Sequence, residues 1–188
     1  MDESTRRLIA YGAILAPALH TLTDGLEWAQ HGFSPLQLWI NYLAFVPLPA
    51  LLLGLYAAQR PGISRLGLAG ALVYGFAFVY FAHTTLVAIA SDVPTYEQLW
   101  DQLGVLYTAH GALMVAGGLM FGWATIRANV VPRWTAWLFV AGVTLNLVLS
   151  FLQVPDLLQT LGTAVRNAGL MGMGWALARR GPPAIRAG

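Results

Sequence analysis

The sequence contains no cysteine and no lysine, and it has few charged residues of any kind. Without cysteine the chain can form no disulfide, no thiolate nucleophile and no cysteine-ligated metal centre. Without lysine it cannot hold retinal or another group as a Schiff base, which requires a lysine amine. Charged residues make up 10% of the 188 positions, whereas soluble domains contain about 25%. These absences argue against a soluble protein and against several cofactor chemistries.

Hydrophobic residues account for 57% of the chain. The mean hydropathy is +0.63, which places the chain in the membrane class. The net charge of +2 is too small for a nucleic-acid-binding protein, so we expect no nucleic-acid partner. The first apolar stretch is longer than a signal-peptide core and lacks a small-residue cleavage site, so we expect it to be a membrane span.

Six apolar segments have the roughly 20 residues that a membrane-spanning helix needs. Short stretches containing Gly and Pro separate most of them, which is typical of turns. We therefore predict a single domain covering residues 1–188, an all-α bundle of six transmembrane helices. The predicted spans are 8–30, 37–58, 66–90, 104–126, 134–153 and 157–178.

The arginines lie on one side of this predicted bundle. If there are six spans, both chain ends and the second and fourth loops share that side, and they hold Arg6, Arg7, Arg60, Arg65, Arg127, Arg133, Arg179, Arg180 and Arg186. The opposite side instead holds Asp92, Glu97, Asp101 and Asp156. Because basic loops stay in the cytoplasm, both termini are predicted to be cytoplasmic, in a plasma membrane of the bacterial type.

The segment 92–103 has the pattern of a short amphipathic helix between the third and fourth spans. Its apolar side consists of Tyr96, Leu99, Trp100 and Leu103, opposite Glu97, Gln98, Asp101 and Gln102. Thr95 and Gln98 have the spacing of a capping box. We expect this helix to lie on the outer membrane interface, either as an ordinary anchor or as a lid.

The polar residues within the spans share one depth range. At about 1.5 Å per residue they lie roughly 5–15 Å from the outer helix ends, and they are Asn41, Glu27, Asp24, His83, His110, Asn146, His20 and Arg166. The inner halves contain small residues at helix-packing spacing, as in Gly67-x-x-x-Ala71 and Gly118-x-x-x-Gly122. This distribution predicts a polar site in the outer half and argues against a through-channel.

The predicted site combines groups for proton transfer with groups for binding. His20, Asp24 and Glu27 share one face of the first helix and are the candidate acid–base residues. The candidate ligand-binding residues are Arg166, His83, His110, Asn146, Asn41, Tyr107 and Tyr80. Because Arg166 stays charged in the membrane, it should pair with a carboxylate, with Asp24 favoured over Glu27 by depth.

The leading hypothesis is a membrane-embedded enzyme of isomerase, cyclase or hydrolase type that acts on a lipophilic or amphipathic small molecule. One alternative is a substrate-binding subunit of an uptake transporter, and another is an accessory subunit of a larger membrane complex or homo-oligomer. Haem or zinc held by His20, His83 and His110 is a further alternative. No metal or cofactor is predicted, because the sequence has no local ligand motif such as His-Glu-x-x-His.

Two likenesses of architecture accompany these hypotheses. The six-span plan with an outer polar site is similar to the substrate-binding subunits of vitamin uptake transporters. A His/Asp/Glu cluster inside a lipid-embedded bundle, here His20, Asp24 and Glu27, resembles sterol isomerases and membrane terpene cyclases. Neither likeness includes a shared motif, so both concern architecture and leave the function open.

The arginine distribution leads to a topology prediction. Reporter fusions after Arg60, Arg127 and Arg186 should all report the cytoplasm, and a fusion within residues 92–101 should report the exterior, because basic loops resist translocation. Matched phosphatase and fluorescent-protein reporters at each site provide the measurement. A cytoplasmic signal from residues 92–101 would contradict the six-span arrangement.

Overall fold

The structure is a computed structural model that describes residues 1–152 and 154–179, and within these every regular element is an α-helix. Gln153, Arg180 and Arg186 therefore lie outside the described residues. The helices in chain order are α1 (Glu3–Gln30), α2 (Pro35–Phe45), α3 (Leu48–Ala58), α4 (Arg65–Ala90), α5 (Tyr96–Leu103), α6 (Val105–Ala128), α7 (Arg133–Ser150) and α8 (Asp156–Ala178).

Local hydrogen bonds define where several helices begin. The Asp2 carboxylate accepts the Thr5 N–H at 2.8 Å at the start of α1, and the Ser34 hydroxyl accepts the Gln37 N–H before α2. The Thr95 hydroxyl accepts the Gln98 N–H at 3.5 Å, as the Thr95/Gln98 spacing predicts. Each such bond satisfies one of the N–H groups that a helix start leaves unpaired.

Proline interrupts one apolar helical segment and leaves another continuous. Pro17 lies inside α1 without ending it, whereas the segment from Pro35 to Ala58 is interrupted at Val46-Pro47, between α2 and α3. A proline has no N–H to donate and crowds the preceding turn, which favours such a break.

Four segments are long and apolar enough to cross a membrane: Pro35–Ala58, Arg65–Ala90, Val105–Ala128 and Arg133–Ser150, with mean hydropathies of 1.2 to 1.8. They identify the chain as a helical protein of membrane character. The helices α1 and α8 are also long, with 28 and 23 residues. They hold most of the charged candidate residues, which lower their hydropathy.

The long helices pack in a closed circuit. Helix α1 packs against α8, α8 against α7, α7 against α6 and α6 against α4, and α4 contacts α2 and α3, which return to α1. The interior contains fully buried side chains from several of these helices, including Leu52, Tyr74, Phe121, Phe139 and Met173. Helix α5 is short and contacts α6.

Glycines allow three helix pairs to approach until backbone meets backbone. A Cβ added at Gly117 of α6 would collide with the backbone of Tyr74 in α4, and one at Gly142 of α7 would collide with the backbone of Arg166 in α8. A Cβ added at Gly174 of α8 would collide with the carbonyl oxygen of Ala10 in α1. Small residues therefore set the spacing between these helices.

The two small-residue motifs predicted from the sequence pack against side chains and do not form these backbone contacts. Gly118 and Gly122 lie against side chains of α7, including Val143 and Val140. Gly67 lies against Ile63 and the Cβ of Ala124. The backbone contacts between α4 and α6 instead use Gly70 and Gly117, because each residue along a helix turns the contact direction by about 100°.

Gly117 and Gly111 of α6 provide a matched pair of substitutions. Gly117→Ala should lower the free energy of unfolding by about 1–3 kcal/mol, because the backbone of Tyr74 cannot yield. A Cβ at Gly111 meets nothing within 4 Å, so Gly111→Ala should leave stability unchanged or raise it by up to about 1 kcal/mol. Reversible unfolding in mixed micelles measures both, and equal effects would refute the close approach.

Candidate functional site

The site is organised around His20 and Asp24, which lie one turn apart on α1. The Nε2 atom of His20 is 3.4 Å from Oδ1 of Asp24. Both side chains are largely enclosed, with 9% and 13% of their surfaces exposed. The predicted pairing of these two residues on one helical face is thus present.

Arg166 of α8 is buried, with 2% of its surface exposed. Its Nη2 lies 3.4 Å from Nδ1 of His20, its Nη1 donates to Sδ of Met114 at 3.2 Å, and its Nε donates to Oδ1 of Asn167 at 3.4 Å. The three contacts connect α8 with α1 and α6.

The expected direct pair between Arg166 and a carboxylate is wrong in its geometry. Among the described residues no carboxylate lies within ion-pair distance of the Arg166 guanidinium. His20 lies between Arg166 and Asp24 and contacts both. The reason lies in the spacing on α1: His20 lies one turn before Asp24, and its imidazole contacts the arginine on one side and the carboxylate on the other.

These contacts fix the hydrogen positions on His20. A guanidinium has only donors, so Nδ1 of His20 must be the acceptor towards Arg166. The proton of the neutral imidazole is then on Nε2, from which it points to Oδ1 of Asp24. The result is a directional chain in which Arg166 donates to His20 and His20 donates to Asp24.

Further polar contacts attach this chain to neighbouring helices. The Thr23 hydroxyl is 2.8 Å from the carbonyl oxygen of His20 and 3.1 Å from Oδ1 of Asn41 in α2. The Asn167 amide donates to the Thr21 hydroxyl at 3.0 Å. The network therefore joins α1, α2, α6 and α8.

One end of the site lies near α5. Glu27 lies one turn beyond Asp24 on α1 and is near enough to Tyr96 of α5 to interact with it electrostatically. The segment before α5 is attached to the α1–α2 turn, since the Phe33 N–H donates to the carbonyl oxygen of Pro94 at 2.7 Å. The rings of Phe33 and Tyr96 have centroids 4.9 Å apart, and those of Trp100 and Tyr107 are 5.0 Å apart.

A small cavity of about 20 Å³ lies between α5 and the helices α2, α4 and α6. Its wall is mostly aromatic and aliphatic, with a few polar groups among them: Phe33, Leu38, Asn41, Phe45, Phe81, Thr84, Thr85, Ala88, Tyr96, Leu99 and Tyr107. This volume holds about one water molecule. The cavity is therefore nearly closed.

His110, Tyr107 and Tyr80 lie together beside this cavity. The His110 ring is buried and packs against Phe81 at 4.3 Å, Tyr107 at 4.6 Å and Tyr80 at 6.4 Å between centroids. These three predicted residues thus form part of an aromatic wall.

Two predicted residues lie elsewhere. His83 is exposed on the outer surface of α4, because the buried side of that helix is formed by Phe78, Thr84 and Thr85; its expected inward orientation is wrong. Asn146 of α7 is half-buried and donates to the Thr163 hydroxyl of α8 at 2.9 Å.

The histidines do not assemble as ligands of a single metal. In residues 1–152 and 154–179 no group of three His, Asp or Glu side chains is placed to hold a metal ion. His83 faces outward, while His20 and His110 are separately packed against Phe45 and Phe81. The geometry gives no support to zinc bound by His20, His83 and His110 together.

Several residues of the network were missed by the sequence reasoning. Asn167 and Met114 contact Arg166, and Thr23 connects His20 with Asn41. Asn167 had a signal, since it is an amide next to an arginine within an apolar segment. Outside this network, Gln37 is buried with no partner for either amide atom among the described residues, and its spacing of four residues from Asn41 is the signal for it in the sequence.

Comparison with protein-family models, with curated proteins and with solved structures finds no match for this chain. Its function is therefore argued from the geometry of the site.

The chain of contacts from Arg166 through His20 to Asp24 leads to a stability prediction. Asp24→Asn and Arg166→Gln should each destabilise the protein by about 3–5 kcal/mol, as is typical when one member of a buried charged set is removed. The double variant should lose less than the sum, because neither charge is left stranded. Unfolding in mixed micelles measures the cycle.

The matched control repeats the cycle at Glu27, which lies one turn beyond Asp24 on α1. Among the described residues Glu27 forms no hydrogen bond or ion pair with Arg166 or His20. Glu27→Gln and Arg166→Gln should be additive to within about 0.5 kcal/mol. Additivity in the Asp24 cycle as well would contradict a coupling through His20.

Proposed function

We propose that this chain is an integral membrane enzyme that performs acid–base chemistry, of isomerase, cyclase or hydrolase type, on a lipophilic or amphipathic small molecule. The observation that supports this most is the position of Asp24. One carboxylate oxygen faces His20, whose other ring nitrogen faces Arg166. The second oxygen, Oδ2, has no hydrogen-bond partner among the described residues.

An acid–base residue needs a fixed orientation and one free atom within reach of the substrate. The His20 contact supplies the orientation, and the free oxygen of Asp24 can receive or donate a proton. Arg166 is connected to Asp24 by two successive non-covalent contacts through His20. Its positive charge stabilises the negative charge that Asp24 carries after it gives up a proton. In this proposal Asp24 is the catalytic residue, and His20 and Arg166 position it.

Glu27 is the proposed proton exchange group. It lies one turn towards the outer end of α1 and is less enclosed than His20. Tyr96, with which Glu27 interacts electrostatically, belongs to α5, which has exposed polar residues such as Glu97 and Asp101. A proton lost or gained by Asp24 could therefore be exchanged with outside water by way of Glu27.

The proposal includes a membrane arrangement with six spans, both termini in the cytoplasm and α5 on the outer surface. The four apolar segments support the membrane location, and the closed circuit of helix contacts supports including α1 and α8 as spans. Polar residues of α1 and α8 face each other at Arg166 and His20, so lipid need not contact them.

The proposed chemistry can be tested without knowing the substrate. Purified protein in nanodiscs is incubated with a membrane lipid extract in deuterated water, and lipids are analysed by mass spectrometry. Wild-type protein should produce at least one lipid with a changed structure or with deuterium at carbon, because the catalytic group exchanges with solvent. Asp24→Asn should reduce the rate at least about 100-fold.

The surface variant Asp101→Asn provides the control, since Asp101 is exposed on α5 and the charge change is the same. Loss of turnover in both variants would point to a general effect of charge. No altered lipid from a folded wild-type protein would oppose the enzyme hypothesis and favour the binding subunit of a transporter.

A further inference from the structure

Four arginines at one end of the bundle have no partner for their side chains. They lie in the two loops that join α3 to α4 and α6 to α7, or at the helix ends beside these loops. They are exposed, and within residues 1–152 and 154–179 their side chains form no ion pair, hydrogen bond or ring contact. This arginine cluster consists of Arg60, Arg65, Arg127 and Arg133. Like charges that the chain itself does not neutralise attract anions.

Other charged groups at the same end of the bundle already have partners. At the start of α1, Arg7 forms an ion pair with Glu3, and the Asp2 carboxylate accepts hydrogen bonds from the first turn. At the end of α8, Arg179 lies 4.1 Å from the ring centroid of Trp175. The carboxylates described at this end are therefore engaged, and none of them forms an ion pair with the arginine cluster.

The two loops that carry the arginine cluster are in contact with each other. A Cβ added at Gly62 in the first loop would lie 2.8 Å from Cγ2 of Val130 in the second. Both loops are anchored in the bundle, because Ile63 and Val131 are buried. Each arginine is two or three residues from Gly62 or Val130, so at 3.8 Å between consecutive Cα atoms its Cα lies within about 11 Å of this contact. Both loops therefore present guanidinium groups to the same area of the surface.

Tryptophans accompany two of these arginines on the exposed surface of the bundle. Trp123 lies four residues before Arg127 on α6, and Trp137 lies four residues after Arg133 on α7. This spacing places each tryptophan on the same helical face as its arginine, one turn further into the bundle. The two tryptophans are 47% and 51% exposed, and α6 and α7 are neighbours. Because tryptophan favours the membrane–water interface, the arginine cluster is expected at the level of the lipid headgroups.

We propose that this surface binds an anionic phospholipid, whose phosphate contacts the arginine cluster and whose glycerol and acyl chains lie along Trp123 and Trp137. Guanidinium groups hold phosphate oxygens through paired N–H bonds, and basic residues between helices at a membrane surface bind anionic headgroups. The exposed tryptophans favour a lipid over a soluble phosphate, which has no apolar part to cover them. The inference depends on the membrane location of the chain and not on the proposed acid–base chemistry.

Native mass spectrometry measures the lipid preference. The full-length protein in a non-ionic detergent is equilibrated with equal amounts of phosphatidylglycerol and phosphatidylcholine that carry the same acyl chains, and each bound lipid is quantified. Both lipids contain a phosphate, but the choline group neutralises it in phosphatidylcholine. The protein should retain phosphatidylglycerol about tenfold more than phosphatidylcholine, because only the former brings a net negative charge to the arginine cluster.

Double variants locate the binding surface. Arg127→Gln combined with Arg133→Gln should reduce the preference for phosphatidylglycerol to less than about twofold. The matched control, Arg7→Gln combined with Arg179→Gln, removes two charges at the same end from arginines that have partners, and it should keep the wild-type preference. If the first variant does not fold, Arg60→Gln combined with Arg65→Gln tests the other loop, and it should also lower the preference.

Equal retention of the two lipids by the wild-type protein would overturn the inference, as would equal losses of preference in the cluster variants and in the matched control. Inorganic phosphate at about 10 mM should leave phosphatidylglycerol bound, because it cannot replace the contacts of the lipid with the tryptophans. Complete displacement by inorganic phosphate would instead assign the arginine cluster to a soluble anion and would contradict the lipid site.

Discussion

A guanidinium enclosed by protein must find hydrogen-bond acceptors there, and this requirement organises the arrangement around Arg166. Its surroundings provide an imidazole nitrogen, a thioether sulfur and an amide oxygen from His20, Met114 and Asn167. None of these groups is an anion, so the nearest compensating charge is that of Asp24 behind His20. Burying a charge in this way is tolerated only when its donors are satisfied.

The position of Arg166 depends in turn on small residues. Gly142 lets α7 approach the backbone of Arg166 closely, and Gly162 gives Asn146 room beside α8. Thr163 and Asn167 then contact α7 and α1, on either side of the arginine in sequence. Helix α8 therefore determines how α1, α6 and α7 meet at the level of the site.

The sequence predicts what depends on a single helix and fails where two helices must be oriented together. The pairing of His20 with Asp24 and the cap at Thr95 follow from helical spacing, and both are present. Helical spacing does not predict that His83 faces outward, nor that the imidazole of His20 lies between Arg166 and Asp24. They depend on the rotation of each helix about its axis, which the packing of the whole bundle sets.

The same contacts are the basis for proposing a functional site at Asp24 in addition to a structural link. If these residues only held α8 against α1, a direct bidentate pair of arginine and carboxylate would stabilise the contact best, because it satisfies both carboxylate oxygens. Here the imidazole separates the two charges and contacts one oxygen of Asp24. The other oxygen is left without a hydrogen-bond partner among the described residues. A carboxylate that is fixed at one atom and unpaired at the other costs stability, and it is what proton transfer to a bound molecule requires.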